Sequence, residues 1–251
     1  MAFRSAGVSR LSGLTAGRGS ALATAAREAL AYARQGLLLR HDTAEPVIPR
    51  GVEEGDDVVV FLHGLFATAG VLRPLRSAIA RHPFLHTAAL TYLPGVDVPA
   101  IAERLRGLLT AIPQGARVHL VGHSLGGIVS RYFALESGDA RVVQTISLAS
   151  PFGGVPRAAW VAFDPVRDLR PESPVLRRIL LHPHAARIPH LSIVAGADTL
   201  VASPVAHALP DGDVLVMQGR GHNTLLFDDE VARVVEARIL ARRAERLPKA
   251  G

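Results

Sequence analysis

The sequence lacks cysteine, which excludes disulfide bridges and metal sites with thiolate ligands. Aromatic residues make up only 5% of the 251 residues, too few for a surface that stacks single-stranded nucleic acid. No apolar run suits a transmembrane helix, because the longest candidate, 21–39, contains Arg27, Glu28 and Arg34. Lysine is nearly absent as well, since Lys249 is the single lysine among 28 basic residues.

The composition is that of a globular protein with a substantial core. Hydrophobic residues make up 49% of the chain and charged residues 20%, and this length suits one α/β domain. The formal net charge is +6, but the arginines are scattered and form no block of five or six like charges. We interpret them as the codon bias of a GC-rich genome and expect no nucleic-acid partner.

The chain divides into an N-terminal part, 1–56, and a globular domain, 57–251. The first twenty residues are rich in arginine and serine and precede the first acid, Glu28, a composition similar to that of a transit peptide. A poorly ordered tail is the preferred interpretation. Residues 21–39 carry apolar side chains at three- and four-residue spacing, which predicts an amphipathic helix. We expect it to pack on the domain, with contact to a membrane surface as the alternative.

The same N-terminal region leads to an expectation about the cellular location of the protein. It lacks the apolar core and small-residue cleavage pattern of a secretory signal peptide. Together with the missing transmembrane segment, this favours a cytoplasmic protein or one bound peripherally to a membrane. Residues 41–56 contain prolines and glycines and predict a connection to the domain.

After residue 56, short apolar runs alternate with amphipathic stretches. The strand candidates are 58–62, 87–92, 118–121, 142–148, 191–195 and 214–217. The helix candidates are 71–82, 99–112, 125–137, 173–181 and 228–246. Such alternation predicts an α/β fold with about six mainly parallel strands and helices on both faces. Functional groups are then expected in the loops beyond the carboxyl ends of the strands.

The strongest motif follows the third strand candidate. Residues 122–127, Gly-His-Ser-Leu-Gly-Gly, match G-x-S-x-G between a strand and a helix. A serine at such a sharp turn has a strained backbone and projects its hydroxyl outward, and glycine is needed on either side to avoid collision. The helix N-terminus that follows offers N–H groups to a developing oxyanion. The motif predicts Ser124 as a nucleophile, the alternative being a structural or phosphate-binding turn.

A second loop supplies oxyanion donors for this nucleophile. The first strand ends in His63-Gly64, which lets the chain turn sharply. We expect the backbone N–H groups of Leu125 and Leu65 to form the oxyanion hole, with Phe66 as the alternative to Leu65. His63 is predicted to be a structural residue that hydrogen-bonds neighbouring backbone.

A serine nucleophile needs a base, and the base needs an acid that orients it. Among 11 histidines, His222 stands in a glycine-containing loop directly after the last strand candidate, where its imidazole can reach the pocket. Asp198 is the acid in the loop after the fifth strand candidate. The order Ser124, Asp198, His222 is that of the α/β-hydrolase triad.

These residues give the chain a resemblance to bacterial lipases and esterases of the α/β-hydrolase superfamily, over about 58–246. The matching pieces are His63-Gly64, the turn at 122–127, the segment 147–154, Asp198 and Gly221-His222. In that segment Phe152 stands where many lipases have histidine. Six strands instead of eight resemble the reduced sheet of minimal lipases.

The resemblance implies a serine carboxylic ester hydrolase (EC 3.1.1) in lipid metabolism, acting through an acyl-enzyme on a small-molecule or lipid ester. It implies no cofactor, and no cluster of ligands predicts a metal or calcium site. An acyltransferase or thioesterase with the same triad is the alternative, since these reactions share the nucleophile and oxyanion hole. A non-catalytic binding protein on this scaffold is a further one. The insertion at about 152–189, with Trp160 and Phe163, is interpreted either as a short lid or as an ordinary crossover helix with its loop.

Overall fold

The computed structural model describes residues 21–155, 164–201 and 208–245, and within them a six-stranded sheet forms the centre of the protein. The strands are β1 (Asp57–Leu62), β2 (Leu85–Leu90), β3 (Arg117–His123), β4 (Val142–Leu148), β5 (His190–Ala195) and β6 (Asp213–Met217). They lie in the order β2-β1-β3-β4-β5-β6, and every neighbouring pair is parallel. The predicted parallel sheet is confirmed.

Helices cover both faces of this sheet. They are α1 (Ala21–Leu38), α2 (Arg73–Ile79), α3 (Val98–Leu109), α4 (Leu125–Glu136), α5 (Pro174–Leu180) and α6 (Asp229–Ala244). One apolar core joins α3, α4 and α5 to the sheet, and a second core on the opposite face joins α2 and α6 to it. Helices α2, α3, α5 and α6 therefore each bury one apolar stripe, as the three- and four-residue spacing predicts, while α4 is buried on nearly all sides.

The strands differ in how deeply they are buried. All six residues of β1 and of β5 are buried, as expected for parallel strands covered on both faces. The edge strand β6 departs from this pattern, because Val214 is 51% and Val216 39% exposed. Its alternate side chains face a surface that the described helices leave open.

Strand β2 begins and ends two residues earlier than the predicted 87–92. Its six residues pair one to one with β1, from Asp57 opposite Leu85 to Leu62 opposite Leu90. Beyond this point β1 turns into the His63 loop, and the backbone N–H of Tyr92 donates to Nε2 of His63 instead of to a strand. The partner strand therefore decides where β2 ends.

Helix α1 contributes little to the two cores, and only its last residue, Leu38, packs against the second one. Ala31 is its one buried residue, and the helix contacts the 3₁₀ turns Ala69–Leu72 and Thr224–Phe227. The connection after it forms an isolated antiparallel bridge between Val47 and Ala89. No helix in the described part of the chain is long and apolar enough to span a membrane.

The described part of the 152–189 insertion packs on the protein. Helix α5 buries Val175, Leu176 and Ile179 in the first core. Trp160 and Phe163, the aromatic residues of the expected lid, lie outside the described residues. The transit-like residues 1–20 lie outside them as well.

Candidate active site

Ser124 lies at the sharp turn between β3 and α4. Its backbone has φ 53° and ψ −119°, a left-handed region that costs a non-glycine residue of the order of 1–3 kcal/mol. Its hydroxyl makes no capping hydrogen bond to α4, although the residue occupies the N-cap position. The backbone N–H of Ser124 donates to the carbonyl of Leu148 on β4 at 2.8 Å, which helps to hold the turn.

The glycines around Ser124 allow the turn to close. A Cβ at Gly122 would lie 2.2 Å from backbone atoms of Gly126, and a Cβ at Gly126 would lie 2.1 Å from the carbonyl oxygen of Leu62. A Cβ at Gly127 would overlap the Ser150 hydroxyl. The sequence-based reason for these glycines is therefore confirmed.

Asp198 and His222 contact each other directly. Oδ2 of Asp198 lies 2.6 Å from Nδ1 of His222, and only 2% of the Asp198 side chain is exposed. The second oxygen, Oδ1, accepts backbone N–H groups from Leu200 at 2.8 Å and Val201 at 3.2 Å. Both carboxylate oxygens are thus held, which fixes the direction from which the carboxylate meets the imidazole.

The loops that carry these two residues are tied together. The N–H of Ala197 donates to the carbonyl of Arg220 at 2.9 Å, and the N–H of Gly196 donates to that of Met217 at 3.0 Å. The guanidinium of Arg220 pairs with Asp228 at 2.9 Å, next to the start of α6. The carboxyl ends of β5 and β6 therefore bring together an acid and a histidine 24 positions apart.

The loop after β1 packs against Ser124. A Cβ added at Gly64 would lie 3.2 Å from Cβ of Ser124 and 3.0 Å from Nδ1 of His123. Nδ1 of His63 donates to the Gly64 carbonyl at 2.7 Å. In a trans peptide the C=O and the N–H point in opposite directions, so this contact turns the N–H of Leu65 away from His63. Among the described residues, the N–H groups of Leu65 and Leu125 have no hydrogen-bond acceptor.

His63 has the structural role expected for it. Its ring stacks on that of Tyr92 at 3.9 Å, and the Tyr92 hydroxyl donates to the carbonyl of His63. Burial lowers the pKa of His63 to about 4, so the ring is neutral at pH 7. A neutral ring with its proton on Nδ1 matches both contacts, because Nε2 then accepts the N–H of Tyr92 at 3.1 Å.

His123, beside the nucleophile, holds the backbone of His222. Its Nε2 donates to the carbonyl of His222 at 3.1 Å, and the two rings meet edge to face with centroids 4.8 Å apart. Burial lowers the pKa of His123 to about 3, and the neighbouring His222 lowers it by a smaller amount. The neutral His123 therefore places no positive charge beside the imidazole of His222.

Ser124 and His222 line the same cavity, which has a volume of about 230 Å³. Most of the remaining lining is apolar and includes Leu65, Phe66, Val155, Leu169, Leu200 and Val201. Apolar walls with a few convergent polar groups are typical of small-molecule sites. Within the described ranges, no group of three or more His, Asp or Glu is placed to hold a metal ion.

Three residues of α1 at or beside this cavity were not predicted from the sequence. Tyr32 and Gln35 line it, and Glu28 contacts the loop after His222. The available signal was Glu28 itself, the single acid in an 18-residue helix of alanine, leucine and arginine. Sequence periodicity assigned the helix but not the face of the domain against which it lies.

Comparison with solved structures identifies the fold. No family model matches the chain, and no curated protein sequence matches it. Among solved structures, Bacillus licheniformis lipase BlEst2 in its mature form is similar at 16% identity and a TM-score of 0.60, over 78% of this chain and 97% of that one. Est1E from Butyrivibrio proteoclasticus is similar at 15% identity and a TM-score of 0.57, over 79% and 93%. The chain has the α/β-hydrolase fold.

Naproxen esterase from Bacillus subtilis shares this α/β-hydrolase fold, at 15% identity and a TM-score of 0.55, over 87% of this chain and 97% of that one. The resemblance to lipases and esterases seen in the motifs thus extends to the whole sheet. Ser124, Asp198 and His222 occupy the loops after β3, β5 and β6 of the α/β-hydrolase fold.

Proposed function

We propose that this protein is a serine carboxylic ester hydrolase that acts through an acyl-enzyme on Ser124. The observation that carries the proposal is the 2.6 Å contact between Asp198 and His222 beside a cavity that Ser124 shares with the imidazole. A carboxylate on Nδ1 holds the proton there and leaves Nε2 as the basic nitrogen of a neutral imidazole. The fold similarity to lipases and esterases supports the same activity.

In the first half-reaction, Nε2 of His222 accepts the proton of the Ser124 hydroxyl while Oγ attacks the ester carbonyl carbon. The carbonyl π electrons move to oxygen, and this oxyanion receives hydrogen bonds from the N–H groups of Leu65 and Leu125. The intermediate then collapses, the C–O bond to the alcohol breaks, and His222 returns the proton to the leaving oxygen. The acyl group remains on Ser124.

In the second half-reaction, water takes the place of the alcohol. His222 accepts a proton from water as it attacks the acyl-enzyme, and the carboxylic acid leaves when Ser124 regains its proton. Asp198 stabilises the imidazolium in both halves without being protonated itself. The apolar walls of the cavity suit the hydrocarbon part of a small-molecule or lipid ester.

A fluorophosphonate probe tests this proposal together with ester turnover. We expect the wild type to be labelled at Ser124 and to hydrolyse p-nitrophenyl esters, and Ser124→Ala to lose both. Ser77→Ala, an exposed serine on α2, is the matched control and should retain both. Unchanged turnover in Ser124→Ala would exclude the mechanism.

Two further experiments define the reaction more closely. A series of p-nitrophenyl esters of increasing chain length, with and without a lipid interface, identifies the preferred acyl group. Alcohols added as alternative acceptors distinguish acyl transfer from hydrolysis.

A further inference from the structure

Glu28 on α1 hydrogen-bonds the loop directly after His222. Its Oε1 accepts the backbone N–H of Asn223 at 2.7 Å. Its Oε2 accepts the N–H of Thr224 at 3.0 Å and the hydroxyl of Thr224 at 2.6 Å. A Cβ at Gly221 would lie 2.3 Å from this Oε2, so the absence of a side chain at that position makes room for the carboxylate.

The peptide group between His222 and Asn223 is held on both sides by these contacts. Its C=O accepts the proton of Nε2 of His123 at 3.1 Å, and its N–H donates to Glu28. Because a trans peptide is planar with C=O and N–H opposed, two partners on opposite sides fix the orientation of the plane. This plane carries the Cα of His222, whose ring is fixed at Nδ1 by Asp198.

Glu28 also completes a helix start that the local sequence leaves open. Asn223 is the N-cap of the 3₁₀ turn Thr224–Phe227, yet its side chain makes no capping hydrogen bond. Free N–H groups at the start of a helical turn require acceptors. The carboxylate of Glu28 supplies them from 195 positions away in the chain.

Other contacts of α1 point to the same local role. Burial, and after it the negative charges of Glu28 and Asp198, raise the pKa of Tyr32, so these groups lie close together. Apolar packing of the helix is slight, since Ala31 is its one buried residue while Leu30 is 54% and Leu37 66% exposed. The hydrogen bonds of Glu28 therefore form a main attachment of α1 to this edge of the protein.

We propose that Glu28 is a positioning residue, which holds the imidazole of His222 in line with Ser124 through the His222–Asn223 peptide. This inference rests on the proposed function, in which His222 is the base. It gives one residue of α1, Glu28, a part in the active site. Glu28 touches neither substrate nor reacting atoms, so its effect is on orientation.

The test compares Glu28→Ala with Ala33→Gly in the full chain. Ala33 is an exposed residue of the same helix, and glycine there weakens α1 without touching the His222 loop. We expect Glu28→Ala to lower kcat about 10- to 100-fold with KM within about twofold, because small misplacements of a catalytic group have effects of this size. Ala33→Gly should leave kcat unchanged even if it lowers the melting temperature as much as Glu28→Ala does. Equal kcat in both variants would overturn the proposal.

Two amide variants, Glu28→Gln and Glu103→Gln, test whether Glu28 acts through its acceptor oxygens. The amide keeps one acceptor oxygen but presents an NH₂ group to the remaining donors, so kcat of Glu28→Gln should lie between those of the wild type and Glu28→Ala. Glu103 is exposed on α3, and its amide variant should match the wild type. A Glu28→Gln variant less active than Glu28→Ala would contradict a role through acceptor oxygens.

A second measurement does not depend on ester turnover. The Nδ1 proton of His222, hydrogen-bonded to Asp198, should give a downfield proton resonance in the wild type and in Ala33→Gly, and a broadened or lost one in Glu28→Ala. Persistence of a sharp resonance in Glu28→Ala would refute the positioning role. If the wild type hydrolyses no ester, the kinetic result rejects the proposed function, while this resonance still decides the role of Glu28.

Discussion

Oδ2 of Asp198 contacts Nδ1 of His222 at 2.6 Å, while Oδ1 of the same carboxylate accepts two backbone N–H groups. The loop of Asp198 therefore holds the carboxylate in place independently of its contact with the imidazole. This arrangement makes the acid difficult to replace, because an amide would turn an NH₂ group either toward the ring or toward the backbone donors.

We expect Asp198→Asn to fold but to lose about 10⁴-fold in kcat, since the imidazole then adopts the wrong tautomer. Ester turnover and the rate of fluorophosphonate labelling measure this loss. Asp211→Asn, at an exposed position before β6, is the control and should match the wild type. A kcat of Asp198→Asn within tenfold of the wild type would assign the acid elsewhere.

Gly64→Ala should impair the oxyanion loop. The new methyl group would lie 3.0 Å from Nδ1 of His123 and 3.2 Å from Cβ of Ser124, so the loop must move by a few tenths of an ångström. Loss of one oxyanion donor lowers kcat about 10²- to 10³-fold, and we expect a decrease up to this size. Steady-state kinetics with a p-nitrophenyl ester measure it.

Gly107→Ala is the matched control for that substitution. A Cβ at Gly107, inside α3, meets no atom outside its own helix within 4 Å. Alanine in a helix interior is favoured over glycine by about 0.5–1 kcal/mol, so this variant should unfold at higher urea with kcat unchanged. Equal kinetic effects of the two glycine variants would rule out a specific role for the loop at Gly64.

His63→Ala should lower kcat as well, because the Gly64 carbonyl loses the donor that orients the Leu65 N–H. We expect a loss of about tenfold or more, below the full effect of deleting an oxyanion donor. His86→Ala removes a partly buried histidine that contacts Asp56 instead, and it should keep the wild-type kcat. Steady-state kinetics of both variants test this expectation. Full activity of His63→Ala would contradict a role of His63 in orienting the Leu65 N–H.

Stability should decrease with falling pH below about 6.5. Burial lowers the pKa of His63 to about 4 and of His123 to about 3, and it also lowers those of His119 and His190. In the unfolded chain a histidine titrates near about 6.5, so as the pH falls the unfolded state binds protons that the folded state does not. The stability is therefore complete above about 6.5 and is lost as the pH falls toward the folded pKa values.

Each such histidine lowers the free energy of unfolding by about 1.4 kcal/mol for each pH unit in this window. Urea unfolding at several pH values between 7 and 5.5 measures the slope, above about pH 5, where carboxylates with a lowered folded pKa begin to lose their own contribution to stability. A free energy of unfolding that stays constant across this range would mean that the buried histidines are protonated in the folded protein.

The sequence by itself determined the local elements. Mainly apolar runs predicted β1, β4 and β5 within a residue, since a strand buried on both faces carries apolar side chains at most positions. The spacing of glycines around Ser124 predicted the turn after β3, because a side chain at Gly122 or Gly126 would meet backbone atoms. Chain order and loop position selected Asp198 and His222, which the fold brings into contact.

Only the tertiary structure decided which distant segments contact one another. The end of β2 follows from pairing with β1, and the role of His123 follows from the loop of His222 returning to it 99 positions later. The place of α1 was likewise undetermined, since its periodicity gives a helix but not the surface on which the helix lies. The hydrogen bonds of Glu28 to Asn223 and Thr224 join opposite ends of the chain, and no local pattern encodes a partner at that distance.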